Sequence, residues 1–314
     1  MESLSVSSIG VADGIGSERV IAPDRAPAGE SRSGAQSRIH MIRRPGQGDL
    51  IAEVTGRGRP VLLIHGWGVD RRMWAPQIPA LKRRFKVITY DRRGFGQSTC
   101  PAGLDQELDD IDALLEHFRI DQVALVGMSQ GGRVAMRYAS SRPAKVNALV
   151  LQGAPLDGLA APSRDLSVIP SAQLAGLLRA GNRGELIRVL SEHPLMDPGA
   201  SFTLAKAQIQ TMLRDYRGED LQTAPPAEVS LDEVCMQLAH ITAPTAVITG
   251  SKETLWLRRV ADFTARHIRG ARRRVIRGGG HFVNLTHAAD YNRCIVDFLD
   301  RTTTPWSERA LGIS

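Results

Sequence analysis

The stretch from Val123 to Gly132, VALVGMSQGG, determines the fold that we predict for this chain. It begins with a wholly apolar run typical of a buried strand, and the helix-period segment Gln130–Ser141 follows at once. Gly-x-Ser-x-Gly between a strand and a helix indicates a sharp turn that exposes a serine hydroxyl. The sequence therefore predicts that Ser129 projects from the carboxyl edge of a parallel sheet, where ligands of such sheets bind.

Similar apolar runs recur on both sides of this stretch, and helix-period segments such as Asp109–Phe118 lie between them. A strand pair around a Pro-Gly turn precedes them. This alternation predicts an α/β fold, in which helices cover both faces of a mostly parallel sheet. The predicted strands are Arg38–Arg43, Leu50–Thr55, Val61–Ile64, Val87–Tyr90, Val123–Val126, Ala148–Leu151, Ala246–Ile248 and Arg274–Ile276.

The alternation stops over residues 157–230, which contain helix-like pieces such as Ala172–Arg179 and Leu204–Arg214 and no convincing strand. A connection this long predicts a helical insertion, either a cap or lid over the site or extra helices without a gating role. We therefore divide the predicted core into residues 38–156 and 231–301. Residues 1–37, rich in Ser, Gly, Ala and Pro, are predicted to be a flexible tail, and residues 302–314 a second tail.

A serine hydroxyl needs a base to become a nucleophile, and we predict that His281 is this base. His281 follows the last predicted strand through Gly278, Gly279 and Gly280, which allow the chain to approach another loop closely. His287 is close enough in sequence to be a rival.

The base in turn needs a carboxylate that fixes its tautomer and stabilises the imidazolium. The turn after the strand Ala246–Ile248 contains one carboxylate, Glu253, and we predict that it is the acid. Asp157, which follows the preceding strand, is the alternative acid.

Acyl transfer also requires hydrogen-bond donors directed at the developing oxyanion. The segment His65-Gly66-Trp67-Gly68 follows the strand Val61–Ile64 directly. We predict that the backbone N–H groups of Trp67 and Gln130 form the oxyanion hole. His65 is predicted to be a buried histidine that braces this loop.

Composition excludes several other classes of protein. The 314 residues carry a net charge of +7, but the basic residues are dispersed and only 5% of residues are aromatic, so we predict no nucleic-acid partner. No apolar run approaches the ~20 residues of a membrane span, and no signal peptide is evident. Three separated cysteines predict neither a disulfide framework nor a metal site, and a reducing cytoplasm is the expected location. We expect no cofactor, because Gly94-x-Gly96 lacks the third glycine of a dinucleotide site.

With these residues identified, the chain resembles the α/β-hydrolase fold superfamily, in the branch of small cap-bearing serine esterases and lactonases. The resemblance covers about Arg38 to Arg301 and follows the superfamily order of serine, acid and histidine. Most similar proteins have Asp where this chain has Glu253, although some, including a cytoplasmic N-acyl-homoserine lactonase, use Glu. The motifs that carry the resemblance are His65–Gly68, Asp91–Ser98, Gly127–Gly131, Pro244–Gly250 and Gly280-His281.

The resemblance implies an eight-stranded, mostly parallel sheet and a Ser-acid-His triad that hydrolyses an ester or lactone through an acyl-enzyme. Similar scaffolds also support carbon–carbon bond hydrolysis and cofactor-free perhydrolysis, and a non-catalytic ligand-binding member is a third alternative. Epoxide hydrolases and haloalkane dehalogenases of this fold use an Asp nucleophile, so Ser129 argues against both. We expect a small-molecule ester or lactone as the partner, and the oligomeric state stays open.

Overall fold

The structure is a computed structural model that describes residues 37–159, 161–223 and 229–302. An eight-stranded sheet with the spatial order β1-β2-β4-β3-β5-β6-β7-β8 forms its centre. β2 is antiparallel to its neighbours β1 and β4, and strands β3 to β8 are parallel. The strands are β1 (Arg38–Arg44), β2 (Gly48–Thr55), β3 (Arg59–Ile64), β4 (Phe85–Asp91), β5 (Val123–Met128), β6 (Val146–Gln152), β7 (Thr245–Gly250) and β8 (Arg272–Ile276).

Helices lie on both faces of the sheet. Apart from several 3-10 turns, they are α1 (Ile78–Leu81), α2 (Glu107–His117), α3 (Gln130–Ser141), α4 (Ser171–Arg179), α5 (Arg183–Glu192), α6 (Thr203–Asp215), α7 (Leu231–Ala239), α8 (Leu255–His267), α9 (Val283–Thr286) and α10 (Ala288–Thr302). Together with the sheet order, this confirms the predicted α/β-hydrolase architecture. No helix in the described part of the chain is both long and apolar enough to cross a bilayer.

Two apolar cores hold these layers together. Side chains alternate between the faces of β3, so that Leu62 and Ile64 join one core while Val61 and Leu63 join the other. The first core is completed by residues of α2, α3, α7 and α8, and the second by residues of α1, α10 and the segment after β6. A central strand buried on both faces explains why the sequence shows continuous apolar runs instead of alternation.

The segment between β6 and β7 contains α4 to α7 and, over its described residues, no strand. The predicted helices Ala172–Arg179 and Leu204–Arg214 correspond to α4 and α6, and α5 lies between them. We call residues 157–230 the inserted segment. The predicted tails, residues 1–37 and 302–314, lie outside the described residues except for Ser37 and Thr302.

The two ends of the inserted segment meet at one point. Gly158 has a positive φ of 70°, and a Cβ added there would overlap the carbonyl oxygen of Val229 and lie 3.1 Å from Cγ2 of Val234. A residue with a side chain at position 158 would push the two segments apart. Gly158 therefore permits the segment that enters the insertion to touch the segment that leaves it. This contact forms a neck at the base of the inserted segment.

Candidate active site

Ser129 occupies the turn between β5 and α3, at the centre of the carboxyl edge of the sheet. Its φ of 53° and ψ of −123° are unusual for a residue with a side chain, and such strain persists only where the surroundings fix it. The Ser129 N–H donates a 2.7 Å hydrogen bond to the carbonyl of Gln152, at the end of the neighbouring β6. The structure thus places Ser129 at the turn between strand and helix that the sequence predicted.

The glycines around Ser129 allow close approach of three segments of backbone. A Cβ at Gly131 would overlap the carbonyl oxygens of Ile64 and His65, at the end of β3. A Cβ at Gly132 would lie 2.6 Å from the Cβ of Ala154, in the loop after β6. The turn is therefore tight because α3 begins in direct contact with both neighbouring loops.

His281 and Glu253 form a buried pair. The Nδ1 atom of His281 lies 2.8 Å from Oε2 of Glu253, and the two residues are 8% and 4% exposed. The second oxygen of Glu253 accepts a 2.9 Å hydrogen bond from the backbone N–H of Thr254, which fixes the carboxylate plane. A proton on Nδ1 is required for the hydrogen bond to Glu253, and this tautomer leaves Nε2 free to accept a proton.

Backbone contacts between the loops after β7 and β8 bring these two residues together. A Cβ at Gly250 would overlap the carbonyl group of Gly279, so the loop after β7 tolerates no side chain at this contact. The N–H of Lys252 donates a 2.8 Å hydrogen bond to the carbonyl of Gly279, and the N–H of Gly278 donates one of 2.9 Å to the Ser251 hydroxyl. The glycines before His281 therefore allow its loop to lie close against the loop after β7, as the sequence indicated.

Gln152 connects the serine turn to the histidine loop. Its backbone carbonyl accepts the Ser129 N–H, and its side-chain Nε2 donates hydrogen bonds to the carbonyl of His281 at 2.9 Å and to Oδ1 of Asn284 at 3.0 Å. Sequence reasoning missed this residue, although a glutamine at the end of an otherwise apolar strand was a visible signal.

The two rival residues lie in other interactions. Asp157 forms an ion pair with the Arg133 guanidinium and approaches that of Arg137 at 4.0 Å. His287 lies 2.9 Å from the Thr286 hydroxyl and packs beside the ring of Phe202. The structure therefore brings Glu253, and not Asp157, against His281, while the rival base His287 lies in other contacts.

The loop after β3 passes beside the serine turn. A Cβ at Gly66 would lie 3.4 Å from the Cβ of Ser129, so the predicted donor Trp67 is adjacent to the turn. Gln130 is the first residue of α3, where a backbone N–H has no acceptor within the helix. The positive end of the α3 dipole lies at this N-terminus, beside Ser129, and favours negative charge there.

Buried polar residues hold the loop after β3 in place. Burial, reinforced by the nearby Arg92 guanidinium, lowers the pKa of His65 to about 3, so the imidazole is neutral. Its Nε2 accepts the N–H of Arg92 at 2.9 Å, and Nδ1 donates to the carbonyl of Gly66 at 2.7 Å. Arg92, itself buried, pairs with Glu107 and donates to Oε1 of Gln130 at 2.8 Å. Sequence reasoning assigned the bracing role to His65 and missed Arg92.

A cavity of about 340 Å³ adjoins the acid–base pair. It lies between the inserted segment, including Leu195 and Phe202, and the loops that carry Lys252, Glu253 and His281. Its volume falls in the range of small-molecule sites. The inserted segment therefore forms one wall of a cavity that Glu253 and His281 also line.

No group of three or more His, Cys, Asp or Glu residues within the described ranges is arranged to hold a metal ion. The Gly94-x-Gly96 loop packs closely against Asp91. A Cβ at Gly96 would overlap the Asp91 carboxylate, which accepts a hydrogen bond from the backbone N–H of Gln97 at 2.8 Å. These glycines thus have a local packing role.

Comparisons with known proteins agree with this arrangement. A family model described as the alpha/beta hydrolase fold matches residues 59–183. The chain is 28% identical over 258 residues to a 2-hydroxy-6-oxononadienedioate/2-hydroxy-6-oxononatrienedioate hydrolase of Cupriavidus pinatubonensis, covering 78% of this chain and 88% of that protein. It is 38% identical over 95 residues to a pimeloyl-[acyl-carrier protein] methyl ester esterase of Legionella pneumophila, covering 30% of this chain and 38% of the esterase.

Among solved structures, a thermophilic esterase from Thermogutta terrifontis has a similar fold. It superposes with a TM-score of 0.70 at 24% sequence identity, covering 85% of this chain and all of the esterase. Fold, site and relatives together define a hydrolase. The chain has the α/β-hydrolase fold, and the family model supports the superfamily that the sequence motifs predicted.

Proposed function

We propose that this hydrolase cleaves a carboxylic ester or lactone, with Ser129 as the nucleophile, His281 as the base and Glu253 as its acid partner. The observation that carries the proposal is the buried contact of 2.8 Å between Nδ1 of His281 and Oε2 of Glu253. A strained serine turn lies across the same sheet edge. The esterase named among the relatives supports an ester substrate.

In the proposed reaction, Ser129 Oγ attacks the substrate carbonyl while Nε2 of His281 takes the serine proton. The backbone N–H groups of Trp67 and Gln130 stabilise the oxyanion. His281 then gives the proton to the leaving alkoxide, and an acyl-enzyme remains. A water molecule, deprotonated by His281, attacks this acyl group, and the acid leaves as Ser129 recovers its proton.

The inserted segment, residues 157–230, would then act as a cap over the core formed by residues 38–156 and 231–301. The cavity wall formed by Leu195 and Phe202 supports this role. The three cysteines, free in the structure, are compatible with work in a reducing cytoplasm. The proposal assigns no role to a cofactor.

The decisive experiment compares the native protein with Ser129→Ala on short p-nitrophenyl esters and lactones of increasing ring size. We expect Ser129→Ala to lower kcat by about 10³-fold or more, because the variant has no nucleophile. In parallel, a fluorophosphonate probe should label native protein at Ser129. Hydrolysis unchanged by Ser129→Ala, or a native protein that the probe does not label, would refute the proposal.

A second candidate is carbon–carbon bond hydrolysis. It is favoured by the Cupriavidus relative, whose name specifies 2-hydroxy-6-oxononadienedioate as its substrate and which the chain matches over 88% of its length. A substrate panel that adds vinylogous diketones to the esters separates the two candidates. Turnover of the diketone at a kcat/KM well above that of any ester would favour the second.

A further inference from the structure

The side chain of Trp67 extends from the loop after β3 to the inserted segment. Its indole N–H donates a hydrogen bond to Oδ2 of Asp220, in the 3-10 turn Glu219–Gln222. The residue whose backbone N–H is a proposed oxyanion donor is therefore held at its side chain by the inserted segment.

Asp220 is itself fixed by a second donor. The hydroxyl of Tyr216 donates a 2.6 Å hydrogen bond to Oδ1 of Asp220, and the rings of Tyr216 and Trp67 pack edge to face with centroids 5.5 Å apart. Burial raises the pKa of Asp220, and its hydrogen bonds with Tyr216 and Trp67 act in the opposite direction. A desolvated carboxylate with both oxygens occupied holds its donors in place more firmly than an exposed one does.

The neighbouring Arg217 anchors the same turn without involving Trp67. Its guanidinium donates hydrogen bonds to the carbonyls of Gly96 and Ser98, in the loop after β4, and pairs with Glu219. Arg217 therefore ties the inserted segment to the core through different contacts. A variant of Arg217 therefore serves as a matched control: it loosens the inserted segment and leaves the contact between Asp220 and Trp67 in place.

We infer that Asp220 is a positioning residue: it holds the Trp67 indole, fixes the direction of the Trp67 backbone N–H and so couples the inserted segment to oxyanion stabilisation at Ser129. The inference rests on the proposed function. Its physical basis is that an oxyanion donor acts only within hydrogen-bond distance of the developing charge, so a small displacement of the loop weakens it.

The test measures kcat and KM for p-nitrophenyl acetate and the rate at which a fluorophosphonate labels Ser129, in the full-length protein. Asp220→Ala and Trp67→Phe should each lower kcat and the labelling rate by about 10-fold, less than loss of a donor itself, with a smaller change in KM. The double variant should be no slower than the slower single variant, since both remove the same contact. Asp220→Asn, which keeps an acceptor oxygen, should recover most of the rate.

Arg217→Gln is the control, and we expect it to lower Tm while kcat and the labelling rate stay unchanged. Three results would overturn the inference: native labelling rates in Asp220→Ala, multiplicative losses in the double variant, or an equal loss in Arg217→Gln. A native protein that the fluorophosphonate fails to label would refute the proposed function itself, so the two failures are distinguishable.

Discussion

At the residue scale, Ser129 is the position where backbone strain and chemistry coincide. A side chain at φ 53° costs on the order of 1–3 kcal/mol in an unconstrained chain. Contacts from Gly131 to the end of β3, and the hydrogen bond from the Ser129 N–H to Gln152, offset that cost. The strained turn therefore holds Ser129 at a fixed position, which is what the proposed nucleophile requires.

The contact between His281 and Glu253 leads to a prediction about the acid. Glu253→Gln should lower kcat by about 10²–10⁴-fold, because a neutral amide can hold the wrong tautomer and cannot stabilise the imidazolium. Steady-state hydrolysis of a p-nitrophenyl ester measures this loss. Asp157→Asn is the matched control: it removes the partner of Arg133, so Tm should fall while kcat is unchanged.

The opposite result, in which Asp157→Asn loses kcat and Glu253→Gln does not, would transfer the acid role to Asp157. The sequence left both acids open because each follows a strand that ends at the same edge of the sheet. The contact of Glu253 with His281 and the pairing of Asp157 with Arg133, 24 positions earlier in the chain, separate the two acids.

At the scale of elements, the close approach of the loops after β7 and β8 predicts that a side chain at Gly250 lowers both stability and activity. Gly250→Ala should destabilise the protein by about 1–3 kcal/mol, because its Cβ would overlap the backbone of Gly279. It should also lower kcat, since Glu253 and His281 lie on the displaced loops. Urea denaturation and ester hydrolysis measure the two effects.

Gly176→Ala is the control for this prediction. Gly176 lies within α4, and a Cβ there would meet nothing within 4 Å. Alanine in a helix is favoured over glycine by about 0.5–1 kcal/mol, so this variant should be slightly more stable than the native protein. Equal midpoints for Gly250→Ala and the native protein would show that the two loops do not depend on their contact.

The order of strands and helices was predictable because each element carries its own periodicity. The prediction of helix Gln130–Ser141 agrees with α3 at both ends, and each predicted strand lies within an observed one. α5 was not singled out. Its apolar residues pack against other parts of the inserted segment, and Gly184 lies in its first turn, so its helical signal is weak.

The contacts that support the site were not predictable in the same way. Arg92, Gln152 and Asp220 act through partners that lie up to 153 positions away in the chain. A single sequence reveals which residue types follow a strand, but not which buried polar groups meet across loops. The proposed nucleophile and base could be predicted because the motifs around Ser129 and His281 are local in sequence, whereas the contacts that support them are not.

At the scale of the whole molecule, the buried His65 links folding to pH. Burial, with the Arg92 guanidinium beside it, lowers the pKa of His65 from 6.5 to about 3. Between these values the unfolded chain binds a proton that the folded protein excludes. The free energy of unfolding should therefore fall as pH decreases from about 6.5 toward 3, by at most about 1.4 kcal/mol per unit from this residue.

Urea denaturation at a series of pH values measures this slope. His65→Gln should flatten it relative to the native protein, whatever its effect on stability at neutral pH. His240→Gln, at an exposed histidine, should leave the slope unchanged. Parallel curves for the native protein and His65→Gln would show that other groups account for the acid sensitivity.

The neck at Gly158 also has an evolutionary consequence. Because the inserted segment leaves and rejoins the core where Gly158 touches Val229, the length of chain beyond that contact does not set how far apart the two ends of the segment lie. Doubling the length of a closed loop costs only about 0.6 kcal/mol in closure entropy. Insertions and deletions within the segment can therefore accumulate while its two ends stay in place. We expect the inserted segment to vary more in length and sequence among relatives than the sheet does.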